Sequence, residues 1–296
     1  MKAVKLLAGI ALMALLSAPG ARGAGADRDP AVAAMAGTRL SYAGSPAWAA
    51  YANPAILPFT NPGFVLTAGW QGWMPRHDGG NEFSVALGGN AGGLGYSVAG
   101  SYLAGKAYDI ISSTGVSQGN FTPSDLDIAA GIGVKITDQI SAGASLRYLR
   151  SSLAPSQAYN VVGASLLATW RKDAVTLTAG LTDVGTQVNG QSILPAAAAL
   201  SGTYSTAAGV HGILAGADAR YYFAGGAAAS FGVQYSYDRL VFLRAGARYN
   251  TSTIDLPTHA SVGAGLRFGG AELCVAYLFA SESLSGTILT GVTYSF

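Results

Sequence analysis

From Gly63 to the last residue, apolar and polar positions alternate in segments of about ten residues separated by turn residues. That period of two is the mark of strands with unlike faces. The pattern predicts strands at Phe64–Trp73, Glu82–Leu87, Leu94–Leu103, Leu126–Ile136, Ile140–Arg150, Tyr159–Trp170 and Val175–Thr182. Further strands are predicted at Ala196–Tyr204, Gly209–Phe223, Ala227–Tyr237, Leu240–Tyr249, His259–Phe268, Ala271–Phe279 and Thr287–Phe296. Fourteen is an even number, as single-chain bacterial barrels require. The faces are clearest late in the chain. Phe231, Val233, Tyr235 and Tyr237 alternate with Ser230, Gly232, Gln234 and Ser236, and Val262, Ala264, Leu266 and Phe268 alternate with Ser261, Gly263, Gly265 and Arg267.

Alternation alone does not say which face is inside. A soluble sandwich buries the apolar face, whereas a membrane barrel turns it outward and keeps small or polar residues within. The connections help. Ala104–Asp125, Asp183–Pro195 and Asn250–Thr258 are long, whereas Thr137–Gln139, Arg171–Ala174, Ser205–Ala208 and Gly269–Gly270 are short. Long and short links mostly alternate, as when one barrel end faces the periplasm and the other the outside. The short Ala224–Gly226 link breaks the alternation, which points to a wrongly drawn strand at Gly209–Phe223.

Composition bears on the same choice. Half of the 296 residues are hydrophobic and only 11% are charged, against about 25% charged in an average soluble domain. Such a chain has little to cover a wet surface with. No apolar run outside the first residues approaches the ~18 needed for a spanning helix, so a closed barrel is the architecture that satisfies every backbone group in lipid. The expected fold is all-β, a transmembrane antiparallel β-barrel of about 14 strands with an N-terminal plug segment.

Residues 1–26 read as a secretory signal peptide. Lys2 and Lys5 precede an apolar core from Leu6 to Leu16, and Ala24-Gly25-Ala26 fits a cleavage site, the cut lying within Ala21–Ala26. Removing Lys2, Lys5 and Arg22 from the 17 basic residues leaves 14 against 15 acidic ones, a net charge of −1. No basic run argues for nucleic acid. The single Cys274 excludes an intrachain disulfide. Residues 27–62 form a second unit. AWAAYANPAILPFTNPG is too broken to span a bilayer and too apolar for a free tail; it is expected to sit in the barrel as a plug, with a periplasmic tail or cap as the alternative. Residues 63–296 form the barrel.

Candidate chemistry is sparse. His77, His211 and His259 share no ligand spacing and are expected to be solvated or at a rim. Gly115-Val116-Ser117-Gln118-Gly119 matches a nucleophile-elbow pattern but lacks a helix after it. No catalytic group, cofactor or metal site is expected, and the protein is read as non-enzymatic. Arg147, Arg244, Arg248 and Arg267 interrupt lipid-compatible strands. An arginine at the bilayer midplane costs about 2–4 kcal/mol, so these should point into the lumen or sit at an interface, with Glu272 as a partner and Cys274 a small filler on its face.

Three stretches carry a resemblance. AAYANPAILPF at 49–59, FTPSDLDIAAGIGVKITDQISAGASLRYLRSSLA at 121–154 and VFLRAGARYN at 241–250 resemble segments of the PorV/PorQ group of type IX secretion proteins, itself similar to FadL-type barrels. Asn53, Pro54 and Ala55 match the plug motif N-P-A. The resemblance implies a bacterial outer-membrane protein that assists export or surface attachment of secreted cargo, with outer-membrane lipid, the barrel assembly machinery, secretion-system proteins and cargo as partners. Its FadL side implies the alternative, a channel for hydrophobic small molecules, with an apolar pocket near Trp48 and Tyr51. The ending through Tyr294 to Phe296 resembles the signal read by the assembly machinery.

Overall fold

The computed structural model describes residues 27–296 apart from 43, 62, 75–78, 113–114, 156 and 189–190. The signal-peptide reading of residues 1–26 and the solvated or rim position expected of His77 therefore lie outside the described residues.

The strands are β1 (Gly63–Trp73), β2 (Gly80–Ala91), β3 (Leu94–Gly105), β4 (Tyr108–Ile111), β5 (Ser117–Phe121), β6 (Ser124–Lys135), β7 (Ile140–Ala154), β8 (Gln157–Lys172) and β9 (Val175–Gly185). They continue as β10 (Gln187–Val188), β11 (Gln191–Ser192), β12 (Ala197–Ala208), β13 (His211–Tyr222), β14 (Ala227–Tyr237), β15 (Val241–Asn250), β16 (His259–Phe268), β17 (Ala271–Phe279) and β18 (Ile288–Ser295). Fourteen of them close an antiparallel barrel in which β1 pairs with both β2 and β18. Closure leaves no open edge, so every ladder group is satisfied away from water. The pairs β4–β5 and β10–β11 are small hairpins within two of the long loops.

One end carries tight turns, such as Asp173–Ala174 and Gly269–Gly270; the opposite end carries residues 106–123, 186–196, 251–258 and 280–287. Asp173 and Asp238, at φ of 51° and 49°, take the left-handed positions that such short turns demand. By loop length the tight end is periplasmic and the long end extracellular. The suspicion about strand Gly209–Phe223 is corrected: it is the true β13, and the link to β14 is simply a short extracellular loop.

Leu146, Leu166, Leu200 and Ile132 point outward and are about 60% exposed, the apolar belt that faces lipid. The barrel is of the outer-membrane type. The inner face is small or polar through most of its height, but not at the extracellular end. There Trp73, Leu103, Leu149, Val161, Leu278 and Leu289 point inward and are buried. They meet loop side chains folded back into the mouth rather than water.

Residues 27–61 lie inside the barrel. A short helix α1 (Pro30–Ala33) starts after Asp29, whose Oδ1 accepts from the Ala31 amide at 2.9 Å. Two 3₁₀ segments follow, Pro46–Ala50 and Pro54–Phe59. The wall thins to admit them. A Cβ on Gly133 would sit 2.1 Å from the Pro54 carbonyl oxygen, and one on Gly143 would sit 2.2 Å from the Ala55 nitrogen. Only glycine permits such an approach of two backbones.

Candidate functional site

Asn53 is fully buried. Its Oδ1 accepts from the Ala55 amide at 2.9 Å and starts the second 3₁₀ segment, while its Nδ2 reaches the Leu40 carbonyl at 2.6 Å and Thr169 Oγ1 at 2.9 Å. One amide thus ties two parts of the N-terminal segment to β8. Pro54 and Ala55 fill the space over Gly133 and Gly143.

Higher in the lumen lies a belt of charge. Arg147 on β7 donates to Asp127 on β6, Nε to Oδ1 at 3.0 Å and Nη2 to Oδ2 at 2.5 Å, and to Asp183 at 3.1 Å. The N-terminal segment supplies Arg28, which donates to Asp127 at 3.0 Å, Glu82 at 2.9 Å and Ser101 at 3.0 Å. Tyr51 donates to the Asp127 carbonyl at 2.7 Å, and its ring lies 4.6 Å from the Arg28 guanidinium and 5.4 Å from that of Arg147, a cation–π arrangement on both counts. Burying this many charges is tolerable because each finds a partner.

Two further networks line the other wall. Asp218 accepts from the Arg39 and Leu40 amides at 3.0 and 3.2 Å. Arg248 donates to Tyr222 at 2.7 Å and to Asp255 at 2.6 Å, and Tyr222 also bonds Asp255. Arg220 stands 3.6 Å from Asp255. Nearer the periplasm, Arg244 donates to Gln234 at 2.7 Å, to Glu272 at 3.1 Å and to Cys274 Sγ at 3.3 Å, while the half-exposed Arg267 donates to Glu272 at 2.5 Å. The four arginines singled out in the sequence face the lumen, and Glu272 joins two of them. Sequence reasoning missed most of the groups that complete these networks. Asp127 and Asp218 sit on inner faces and were legible by alternation. Asp183 turns inward beside Thr182 at a β-bulge against β8, where parity breaks, and Arg28, Arg39 and Asp255 come from irregular segments with no period.

Tyr294 and Phe296 lie on the outward side near the periplasmic end, their rings 4.7 Å apart, and Phe296 contacts the Phe64 ring at 5.5 Å. His211 is exposed and shares a 2.7 Å hydrogen bond with Tyr235. His259 takes the second of the expected alternatives: it stands at the extracellular rim and is buried, its Nδ1 2.8 Å from the Pro257 carbonyl. The Gly115–Gly119 stretch falls in the β4–β5 hairpin with no helix after it. Among the described residues no group of three or more His, Cys, Asp or Glu could hold a metal.

The expected pocket at Trp48 and Tyr51 is present but small, and it lies within the N-terminal segment rather than between that segment and the wall. Val32, Tyr42, Trp48, Tyr51 and Ile56 line a cavity of about 30 Å³ together with Asp27, Arg28, Asp29 and Arg39, room for about one water. A larger apolar cluster gathers at the extracellular mouth. Trp73, Leu103, Leu278 and Leu289 from the wall pack with Ala33 and Ala34 from the N-terminal segment and with Leu256 and Leu284 from two loops. This packed cluster, called the chamber below, lies above the charged belt and is filled by its own loop side chains.

No protein-family model matches the chain, and no curated protein sequence matches it. Solved structures do. The Pseudomonas putida toluene transporter TodX is similar over 91% of this chain and 99% of its own, at 14% identity and a TM-score of 0.63. The Ralstonia pickettii toluene transporter TbuX is similar over 90% and 96%, at 14% identity and a TM-score of 0.61. A Pseudomonas aeruginosa FadL homologue is similar over 92% and 97%, at 13% identity and a TM-score of 0.52. The chain has the fold of the FadL-like outer-membrane barrels.

Proposed function

We propose that this protein is a non-enzymatic conduit that admits hydrophobic small molecules through the outer membrane. The observation that carries the reading is the buried apolar cluster at the extracellular mouth, in which Trp73, Leu103, Leu278 and Leu289 of the wall pack against loop residues Leu256 and Leu284. Convergent apolar side chains are what a hydrophobic ligand needs once those loops move aside. Below it, the N-terminal segment held by Arg28, Tyr51 and Asn53 closes the route. The described arrangement is thus a closed state, and passage requires that segment to shift. The likeness in fold to toluene transporters supports the same reading. Tyr294 and Phe296 would serve insertion by the assembly machinery, and lipid would surround the belt.

The test is uptake. Cells expressing the full chain should accumulate labelled toluene or a long-chain fatty acid severalfold faster than cells with an empty vector. Equal rates for both probes would remove the proposal. The rival reading, a PorV/PorQ-type role in moving secreted cargo, rests on the resemblance at residues 49–59, 121–154 and 241–250. Recovery of secretion components with the gently purified barrel would favour it.

A further inference from the structure

Two polar atoms at the edge of the chamber have no partner. Gln71 and Trp73 both lie on the inner face of β1, 4% and 5% exposed. The register places Gln71 between Glu82 of β2 and Leu289 of β18, with Leu103 of β3 beyond Glu82 and Ala276 of β17 beyond Leu289. Gln71 Nε2 donates to Glu82 Oε2 at 2.8 Å, which fixes how the amide is turned. Its Oε1 is then left without a donor, and the Trp73 Nε1–H without an acceptor. Nearly all buried polar groups in folded proteins are hydrogen-bonded, so a free acceptor and a free donor two residues apart on one strand face need an explanation.

Ligand groups differ in what they offer these two atoms. A hydrocarbon meets neither atom. A carboxylate accepts from Trp73 but offers Gln71 Oε1 nothing and lies near the Glu82 carboxylate. An ammonium suits Gln71 and offers Trp73 nothing. A neutral group that both donates and accepts meets both, and a hydroxyl is the smallest such group. We propose that the chamber takes a neutral hydrophobic molecule bearing a hydroxyl, such as a phenol, which donates to Gln71 Oε1 and accepts from Trp73 Nε1. This rests on the conduit reading and narrows its substrate class. The ligand's apolar body takes the place of Leu256 and Leu284, which come from loops 251–258 and 280–287 rather than from the wall.

Toluene and p-cresol differ by one hydroxyl and make the matched probes. Calorimetric titration of the purified full chain in detergent should show p-cresol binding roughly tenfold more tightly, the size of effect expected from one or two buried hydrogen bonds. In protein labelled with ¹⁵N-indole tryptophan, the Trp73 N–H resonance should move with p-cresol and not with toluene. In the double variant Trp73→Phe, Gln71→Met, checked for folding by heat-modifiable mobility, the ratio of the two affinities should fall to about one. Equal affinities in the unaltered protein, an unmoved Trp73 resonance, or a preference that survives the double substitution would overturn the hydroxyl assignment and leave the conduit intact. Binding of neither probe would overturn the hydroxyl assignment, and absence of toluene and fatty-acid uptake as well would overturn the conduit.

Discussion

Arg147 and Leu284 both face the barrel axis, but they hold the lumen in different ways. Arg147 stands on a strand fixed by ladders on both sides, and its guanidinium meets Asp127, Asp183 and the Tyr51 ring at set distances. Directional pairs of this kind favour one position of the N-terminal segment, because a small shift leaves buried charges unpaired. Leu284 comes from a loop and sits among Trp73, Leu256, Leu278 and Leu289 without a directed bond. Apolar packing of that sort accepts other apolar matter of similar volume. The belt therefore specifies where the segment rests, and the chamber specifies only that something apolar fills it. On the conduit reading, a molecule entering from outside would compete with Leu284 long before it disturbed Arg147.

The contrast breaks most sharply at the belt. Arg147→Leu leaves Asp127 and Asp183 buried without their main cation, at a cost of about 3–5 kcal/mol. The expected result is a raised conductance in planar bilayers, with residues 27–61 opened to protease. Unchanged conductance and unchanged cleavage would mean that the belt does not hold the segment. Leu284→Ala should cost about 2–3 kcal/mol of loop docking, and the loss should stay local. Loop 280–287 becomes cleavable while the thermal transition of the barrel stays where it was. A barrel that melts earlier along with the loop would show the chamber to be part of one cooperative core.

The barrel was legible because its cause is periodic. Phe231, Val233 and Tyr235 lie outward, and Ser230, Gly232 and Gln234 inward, as a period of two dictates. The same parity placed Arg147, Arg244 and Arg248 in the lumen. Parity does not say what an inward residue meets. Leu103, Leu278 and Leu289 share the inner face with Ser101, Ala276 and Gly291, and only the inward fold of two loops explains why they are apolar. Nor does parity reach the small size of the cavity at Trp48 and Tyr51. Tyr51 packs against two guanidiniums, which come from residues 28 and 147, far apart in sequence.

A smaller effect sharpens the comparison from within the N-terminal segment. Asn53→Ala removes the Oδ1 cap on Ala55 and the bonds to Leu40 and Thr169. The cap alone is worth about 1 kcal/mol. Uptake should rise modestly, because the closed arrangement loses part of its support while the belt remains. Asn53→Asp keeps the cap acceptor but buries a carboxylate facing the Leu40 carbonyl, so it should raise uptake more than Asn53→Ala; an Asp variant that behaves as the parent would mean that the Leu40 and Thr169 bonds contribute nothing.

The smallest expected effect is on pH, at the point where loop and belt meet. Asp255 lies in the extracellular loop 251–258, and Leu256 beside it enters the chamber. Burial pushes the Asp255 carboxyl up, but the Arg248 and Arg220 guanidiniums beside it outweigh that and hold it well below the ordinary carboxylate range. A carboxyl depressed in the folded state contributes stability above its unfolded value, near 3.9, and loses it as pH falls through the folded one. The loop should therefore stay docked, with flat conductance, from pH 7 to pH 5, and loosen only below about pH 4. Asp255→Asn removes the charge and should undock the loop at neutral pH while leaving Arg28, Tyr51 and Arg147 in place. A rise in conductance already between pH 7 and pH 5 in the unaltered protein would assign the closing contact to a group other than Asp255.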